Sequence, residues 1–482
     1  MAGIGFTLKR LTAKDNLIGI VRAYTHATIA SAGPWLVMVL ALGGVYPPVF
    51  ESYVAVSELT NFRIIVVYNF GFSLIWASPV YMVVTRYLAD CIHRKDVTHT
   101  PTVLMASLGL LFVLLVPLAI FFYGFYVELS LSLRLSAIAN LFLITMIWCL
   151  GIYMTALKDY KAVSRAFIIG AALAIVCAQT MHGWFGEAST LTGFNIGLTF
   201  IAFYLAGRIL AEYPYRLVPR TGLKKYYRRY WELAVGGVFY NAAIWADKCV
   251  MWVFAPEAIT LPSRMTYYPD YDSAMFFAYL TIVPAMAIFL FSIETNFFLR
   301  YQRFYYDIIE HKTLATIRVN HRAIIDTLVN SARNFFVVQG VITLVVILTA
   351  AQIFELFRLH YLAIGIFRLG VLGSFFHVLA LFEMIILSYF DCRRTVMRIQ
   401  GVFLLTTVVF TYFTVDMGFR YYGYGYFLAS LVTFILASLA LFDHIQKLPY
   451  HAFITNNNSL KPVFQKDGIT VSVSSVRAVA EP

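Results

Sequence analysis

The sequence predicts an all-α polytopic membrane protein, and three observations predict it. Of its 482 residues, 60% are hydrophobic and only 13% charged, and the mean hydropathy of +0.75 lies outside the range of soluble globular domains. About twelve apolar runs are long enough to cross roughly 30 Å of hydrocarbon at about 1.5 Å per helical residue. The basic residues fall on alternate connections: all but seven of the 37 Lys and Arg lie on one side, the exceptions being Arg63, Arg134, Lys248, Arg264, Arg358, Arg368 and Arg420. By the positive-inside rule both termini are cytoplasmic.

Taken in order, residues 1–21 hold scattered charge and no small-residue cleavage site, which predicts an amphipathic segment on the cytoplasmic face, with Ile4, Phe6, Leu8 and Leu11 in the headgroups. Six spans follow within 22–211, at 22–46, 64–87, 102–126, 134–156, 163–182 and 190–211. A basic cytoplasmic linker covers 212–231. Six further spans within 232–443 lie at 232–254, 273–297, 335–354, 365–390, 400–416 and 424–443, with a charged cytoplasmic helix over about 300–333. The tail, 444–482, is polar and is expected to be mobile. Six plus six spans are what a transporter built from two structural repeats would show.

Span seven, ELAVGGVFYNAAIWADKCVMWVF, departs most from a plain apolar anchor. Asn241, Trp245, Lys248 and Trp252 follow at steps of four, three and four, so a helix sets them in one stripe. A charge in hydrocarbon costs about 2.5 kcal/mol or more, so Lys248 is expected to face the bundle or a wet cavity, to pair with a carboxylate in a packing role, or to snorkel. Lys248 stands about 24 Å above the inner end of its span, too far for a bridge to Glu294. Other polar groups inside spans are Glu294, Arg368, Glu383, Asn69, Asn140, Gln179, Asn195, Gln339 and His377. Such groups mark pathways for substrates or ions, although Glu294 also suits an interfacial acid. His377 and Glu383, six apart, do not share a helix face well, so a relay between them is poorly supported. Trp76, Trp148, Trp245 and Trp252 offer flat faces suited to sugar rings or to packing.

The net charge of +12 follows membrane topology and does not call for nucleic acid. Arg216, Arg220, Lys224, Lys225, Arg228 and Arg229 form the densest cluster, suited to anionic lipid, a cytoplasmic partner or a solvated joint. Five cysteines show no CxxC or Cys/His ligand spacing, so neither disulfide nor metal is implied. No nucleotide loop, HExxH or GxSxG motif appears in an extramembrane segment, so no cofactor or enzyme is expected.

MAGIGF at the start, SAGPW in span one, YNAAIWADK in span seven and VPAMAIFLFSIETNFFLRYQRFY through span eight together resemble the PelG family of Pel exopolysaccharide exporters. The resemblance runs from the N-terminus through span twelve. It implies the multidrug/oligosaccharidyl-lipid/polysaccharide exporter superfamily, with two six-helix bundles in a V shape around a central cavity that spans one and seven line, and a Gram-negative inner membrane. It also implies export of a cationic, amino-sugar-rich polymer and association with PelD, PelE and the cytosolic glycosyltransferase PelF. Pro34, Trp35, Asn241, Trp245, Asp247, Lys248 and Glu294 are the matching pathway candidates, to which the helical stripe adds Trp252 and the acid within span ten adds Glu383. A cationic polymer favours acids and aromatics, so Lys248 is expected to neutralise Asp247 or a facing acid. The alternatives are a flippase for lipid-linked oligosaccharide, a synthase scaffold and a membrane-embedded glycosyltransferase.

Overall fold

The structure is a computed structural model and describes residues 37, 56–181, 184–215, 217, 222–292 and 297–455. Expected span one lies outside these residues apart from Val37, as do the amphipathic start and most of the tail. The first half contributes helices α1 (Val56–His93), α2 (Thr100–Ala119, continued by a π-helical turn Ile120–Tyr126), α3 (Leu131–Leu157), α4 (Tyr160–Thr180) and α5 (Ser189–Glu212). A short helix α6 (Leu223–Arg229) leads into α7 (Trp231–Phe254). A two-stranded hairpin follows, β1 (Ile259–Thr260) antiparallel to β2 (Thr266–Tyr267). The second half continues with α8 (Pro269–Leu280), α9 (Ile282–Ser292), α10 (Phe298–Ile309), α11 (Leu314–Leu348), α12 (Ala350–Leu356), α13 (Ile364–Tyr389), α14 (Arg393–Asp416) and α15 (Tyr424–Gln446).

Among the described residues, nine helices are long and apolar enough to cross a membrane. Expected spans seven and eight fall outside that number for visible reasons. α7 holds Asn241, Asp247 and Lys248 within its apolar run, and span eight breaks at Thr281 into helices of twelve and eleven residues. Gln339 of α11 donates to the freed Thr281 carbonyl at 3.1 Å, which satisfies backbone that hydrocarbon would leave unpaired.

The basic stretch 300–333 differs from the single cytoplasmic helix expected for it. It is α10, a turn, and the first part of α11, which runs without interruption into the ninth span and stops at Thr349 rather than 354. At 35 residues α11 is about 52 Å long, so its basic start clears the hydrocarbon without a separate helix.

Large apolar side chains such as Val113, Phe125 and Leu348 are two-thirds or more exposed, as a lipid-facing surface requires. Inside, one apolar core gathers α1 to α5 with Met265, and others gather α7 to α15. α4 and α5 approach closely because Gly170, Ala174 and Ala178 meet Gly193 and Gly197, where a Cβ would strike the opposing backbone. Asn69, Asn140 and Asn195 tie α1, α3 and α5 into one ladder. Asn69 donates to Asn140 at 2.9 Å, Asn140 to Asn195 at 2.8 Å, and Asn195 to the Ser136 carbonyl at 2.8 Å. Tyr123 donates to Asn69 at 2.6 Å, so the ladder is saturated within the protein.

Candidate functional site

The two halves meet where α7 lies antiparallel against α1. Asn241 Nδ2 donates to the Tyr81 hydroxyl at 2.7 Å, Trp245 lies over Gly71, and Trp252 stacks on Tyr68 with ring centroids 4.7 Å apart. A Cβ at Gly71 would sit 3.0 Å from the Trp245 ring, so a larger residue would push the indole away. Tyr68 in turn donates to the Thr266 carbonyl at 2.7 Å, which joins the hairpin to the same seam. Three members of the expected stripe therefore pack between the halves. Trp245 Nε1 is buried there with no protein acceptor.

Lys248 turns aside toward α8. Its Nζ lies 3.2 Å from Asp247 Oδ1 and 4.5 Å from the centre of the Tyr279 ring, with the Trp245 ring at 5.8 Å. Asp247 is fully buried and also accepts from the Tyr271 hydroxyl at 3.1 Å. The pair is thus local: a buried cation neutralised by its sequence neighbour, with an aromatic face below it. One turn on, Trp252 Nε1 donates to both carboxylate oxygens of Asp272 at 3.0 Å, and the Tyr268 N–H donates to the same group at 3.1 Å. Asp272, Tyr271, Tyr279 and Tyr68 were not singled out in the sequence. The available signal was the PDYD turn before span eight, whose second acid, Asp272, faces the indole of the preceding helix.

Glu383 and His377 occupy different places. Glu383 Oε1 accepts from Ser438 of α15 at 2.7 Å, while Oε2 is buried without a protein donor. His377 sits between Tyr240 (3.0 Å) and Tyr426 (2.8 Å). Trp148 donates to Ser73 at 3.2 Å. Pro34, Trp35 and Glu294 lie outside the described residues.

Of the basic cluster, Lys224, Lys225, Arg228 and Arg229 are exposed on or beside α6, and Arg216 and Arg220 lie outside the described residues. At this end Tyr230 receives guanidinium groups from Arg86 of α1 (5.4 Å), Arg229 (5.5 Å) and Arg393 of α14 (4.8 Å). Glu232 lies 3.2 Å from Arg394 and 3.9 Å from Arg393. The linker is therefore clamped to both halves near its end.

Helices of this number, a seam between halves and buried ionisable groups along it define a multi-pass membrane transporter fold. Solved structures agree. A MATE structure in the bent conformation superposes with a TM-score of 0.62 at 14% identity, covering 90% of this chain and 96% of that one. An outward-facing multidrug resistance MATE transporter of the MOP superfamily gives 0.61 at 15% identity, covering 88% and 94%. A MOP-superfamily transporter from Pyrococcus furiosus gives 0.58 at 15%, covering 88% and 94%. No individually curated protein sequence matches the chain. The family does: the chain belongs to the PelG exopolysaccharide exporter (EPS-E) family, whose match spans residues 1–453.

Proposed function

We propose that the chain exports a cationic, amino-sugar-rich exopolysaccharide across the bacterial inner membrane during its synthesis and the formation of biofilm matrix. It works beside PelD, PelE and the cytosolic glycosyltransferase PelF, with both termini cytoplasmic. The observation that carries this reading is the exporter-family match over residues 1–453, and a MOP-type fold is consistent with it. In this reading Asn241, Trp245 and Trp252, with Pro34, Trp35, Glu294 and Glu383, border the polymer path, and the indoles meet sugar when the α1–α7 seam parts. Asp247 contributes acid to that path, and Lys248 keeps it neutral at rest. Arg216, Arg220, Lys224, Lys225, Arg228 and Arg229 meet anionic lipid or the synthase at the cytoplasmic surface.

The test is to deplete the protein in its native cell and identify the carbohydrate held on the inner side. Long hexosamine polymer without a lipid carrier is the expected result. Short sugars on a polyprenyl carrier would make it a flippase, and loss of polymer with no retained intermediate would make it a scaffold or an enzyme.

A further inference from the structure

The β1–β2 hairpin belongs by chain to the second half and by packing to the first. Met265, in its loop, is fully buried in the apolar core of α1 to α5, and Leu261 and Tyr267 pack against the same core. Polar ties hold it there. The Tyr68 hydroxyl of α1 donates to the Thr266 carbonyl at 2.7 Å and accepts from the Thr266 N–H at 3.3 Å. The Glu128 N–H, just before α3, donates to the Ser263 carbonyl at 3.2 Å, and the Glu128 carboxylate pairs with Arg264. The hairpin thus closes over the end of the α1–α7 seam opposite the Tyr230 clamp, beside the stacked rings of Tyr68 and Trp252.

Each tie is of a kind that can be released. Strands of two residues have little stability of their own. Arg264 adopts φ 64°, a left-handed conformation that is costly for a residue with a Cβ and that the seated turn must maintain. Its pair with Glu128 is more than half exposed on both sides, so water competes for it. Methionine, unbranched and flexible, leaves and re-enters apolar surroundings with few demands of shape. We propose that this hairpin is the gate at the outer end of the export path, with Met265 as its plug and Tyr68 as its latch. The halves part at this end only when Met265 withdraws from the first half. Tyr68 couples the two events, because its ring stacks on Trp252 of α7 while its hydroxyl holds Thr266. The inference rests on the export reading with cytoplasmic termini and names the gate that reading requires.

The experiment uses the full chain in spheroplasts of its native cell, in a background lacking the five native cysteines. Ser263→Cys and Met265→Cys are separate probes for a membrane-impermeant maleimide added outside. The two positions are 5% and 0% exposed, and Ser263→Cys exchanges only oxygen for sulphur, so one probe survives if the other fails to fold. Slow labelling is expected while polymer synthesis is blocked, and labelling at least about tenfold faster while polymer is being exported. Ile259→Cys, at a position already 45% exposed, should label at one rate in both states. With synthesis blocked, Tyr68→Phe keeps the ring and removes both hydrogen bonds to Thr266. It should speed the labelling of Ser263→Cys by about tenfold, the scale of a lost hydrogen bond. Protection of both cysteines throughout active export overturns the proposal and makes the hairpin a fixed tie on which the halves pivot. So does labelling at rest as fast as that of Ile259→Cys, since an unseated hairpin plugs nothing. Protection during continuing export removes the gate and leaves the export reading, which the depletion test decides by itself.

Discussion

Asp247 and Lys248 are sequence neighbours, and a helix points neighbours about 100° apart, so their ion pair depends on both side chains bending toward one another. What makes that geometry worthwhile is burial: Asp247 has no solvent contact and Lys248 almost none. Removing either charge strands the other, a loss of about 3–5 kcal/mol for a buried pair. Asp247→Asn and Lys248→Met should therefore each lower the unfolding midpoint of the purified protein, and the double variant should recover much of the loss. Additive losses in the double variant would show that the two charges act separately. The sequence made Lys248 conspicuous and suggested Asp247 as its partner. It could not show Tyr271 and Tyr279, because those rings arrive from α8, and only packing sets which face of α8 meets α7.

Elements were legible where composition alone decides them. α3, α5, α13 and α15 lie close to their expected bounds because each is a single apolar run ended by charge or turn residues. α11 was misdivided, since a run of charges interrupts apolarity without interrupting helical hydrogen bonding. The α3–α4 junction shows how a short turn is fixed. Lys158 adopts φ 60°, and Asp159 caps α4 by accepting from the Ala162 N–H at 3.1 Å while meeting Arg208 of α5 at 2.7 Å. The hydrogen bond from Arg208, helped by the cap, holds the Asp159 carboxyl below its ordinary value. A carboxyl depressed in the folded state stabilises fully above the unfolded value of 3.8 and loses that contribution as pH falls through the lower, folded value. The gap in unfolding midpoint between wild type and Asp159→Asn should thus be constant from about pH 7 to 5 and shrink below about pH 4. A gap that shrinks already between those first two values would mean another group dominates.

At the scale of the molecule, the halves meet along the α1–α7 seam, reinforced at one end by Tyr230 and its three arginines and at the other by Glu128, which pairs with Arg264 and donates its N–H to the Ser263 carbonyl. Transporters that alternate access rock one half against the other. A Cβ at Gly237 would lie 3.3 Å from Ser78 Cβ, near the separation a disulfide spans, with Met82 Cγ at 2.9 Å having to shift. In a background lacking the five native cysteines, Ser78→Cys with Gly237→Cys should cross-link on oxidation and stop polymer export, and reductant should restore it. Export that continues while the cross-link is complete would mean the seam stays closed throughout transport.

The sequence by itself determined that this chain lives in a bilayer, how many times it was expected to cross, which stretch of span seven is exceptional and, through its family motifs, what class of cargo to expect. Those features are written in local hydropathy, charge asymmetry and residue order, which need no partner to be read. Only the tertiary structure decided that the amides of three helices form one ladder, that the indoles of α7 close against α1, that His377 and Glu383 belong to different surroundings, and that Met265 seats in the core of the other half. Each of these joins residues far apart in the chain, and the rotation and register of packed helices, which no local pattern encodes, set them face to face.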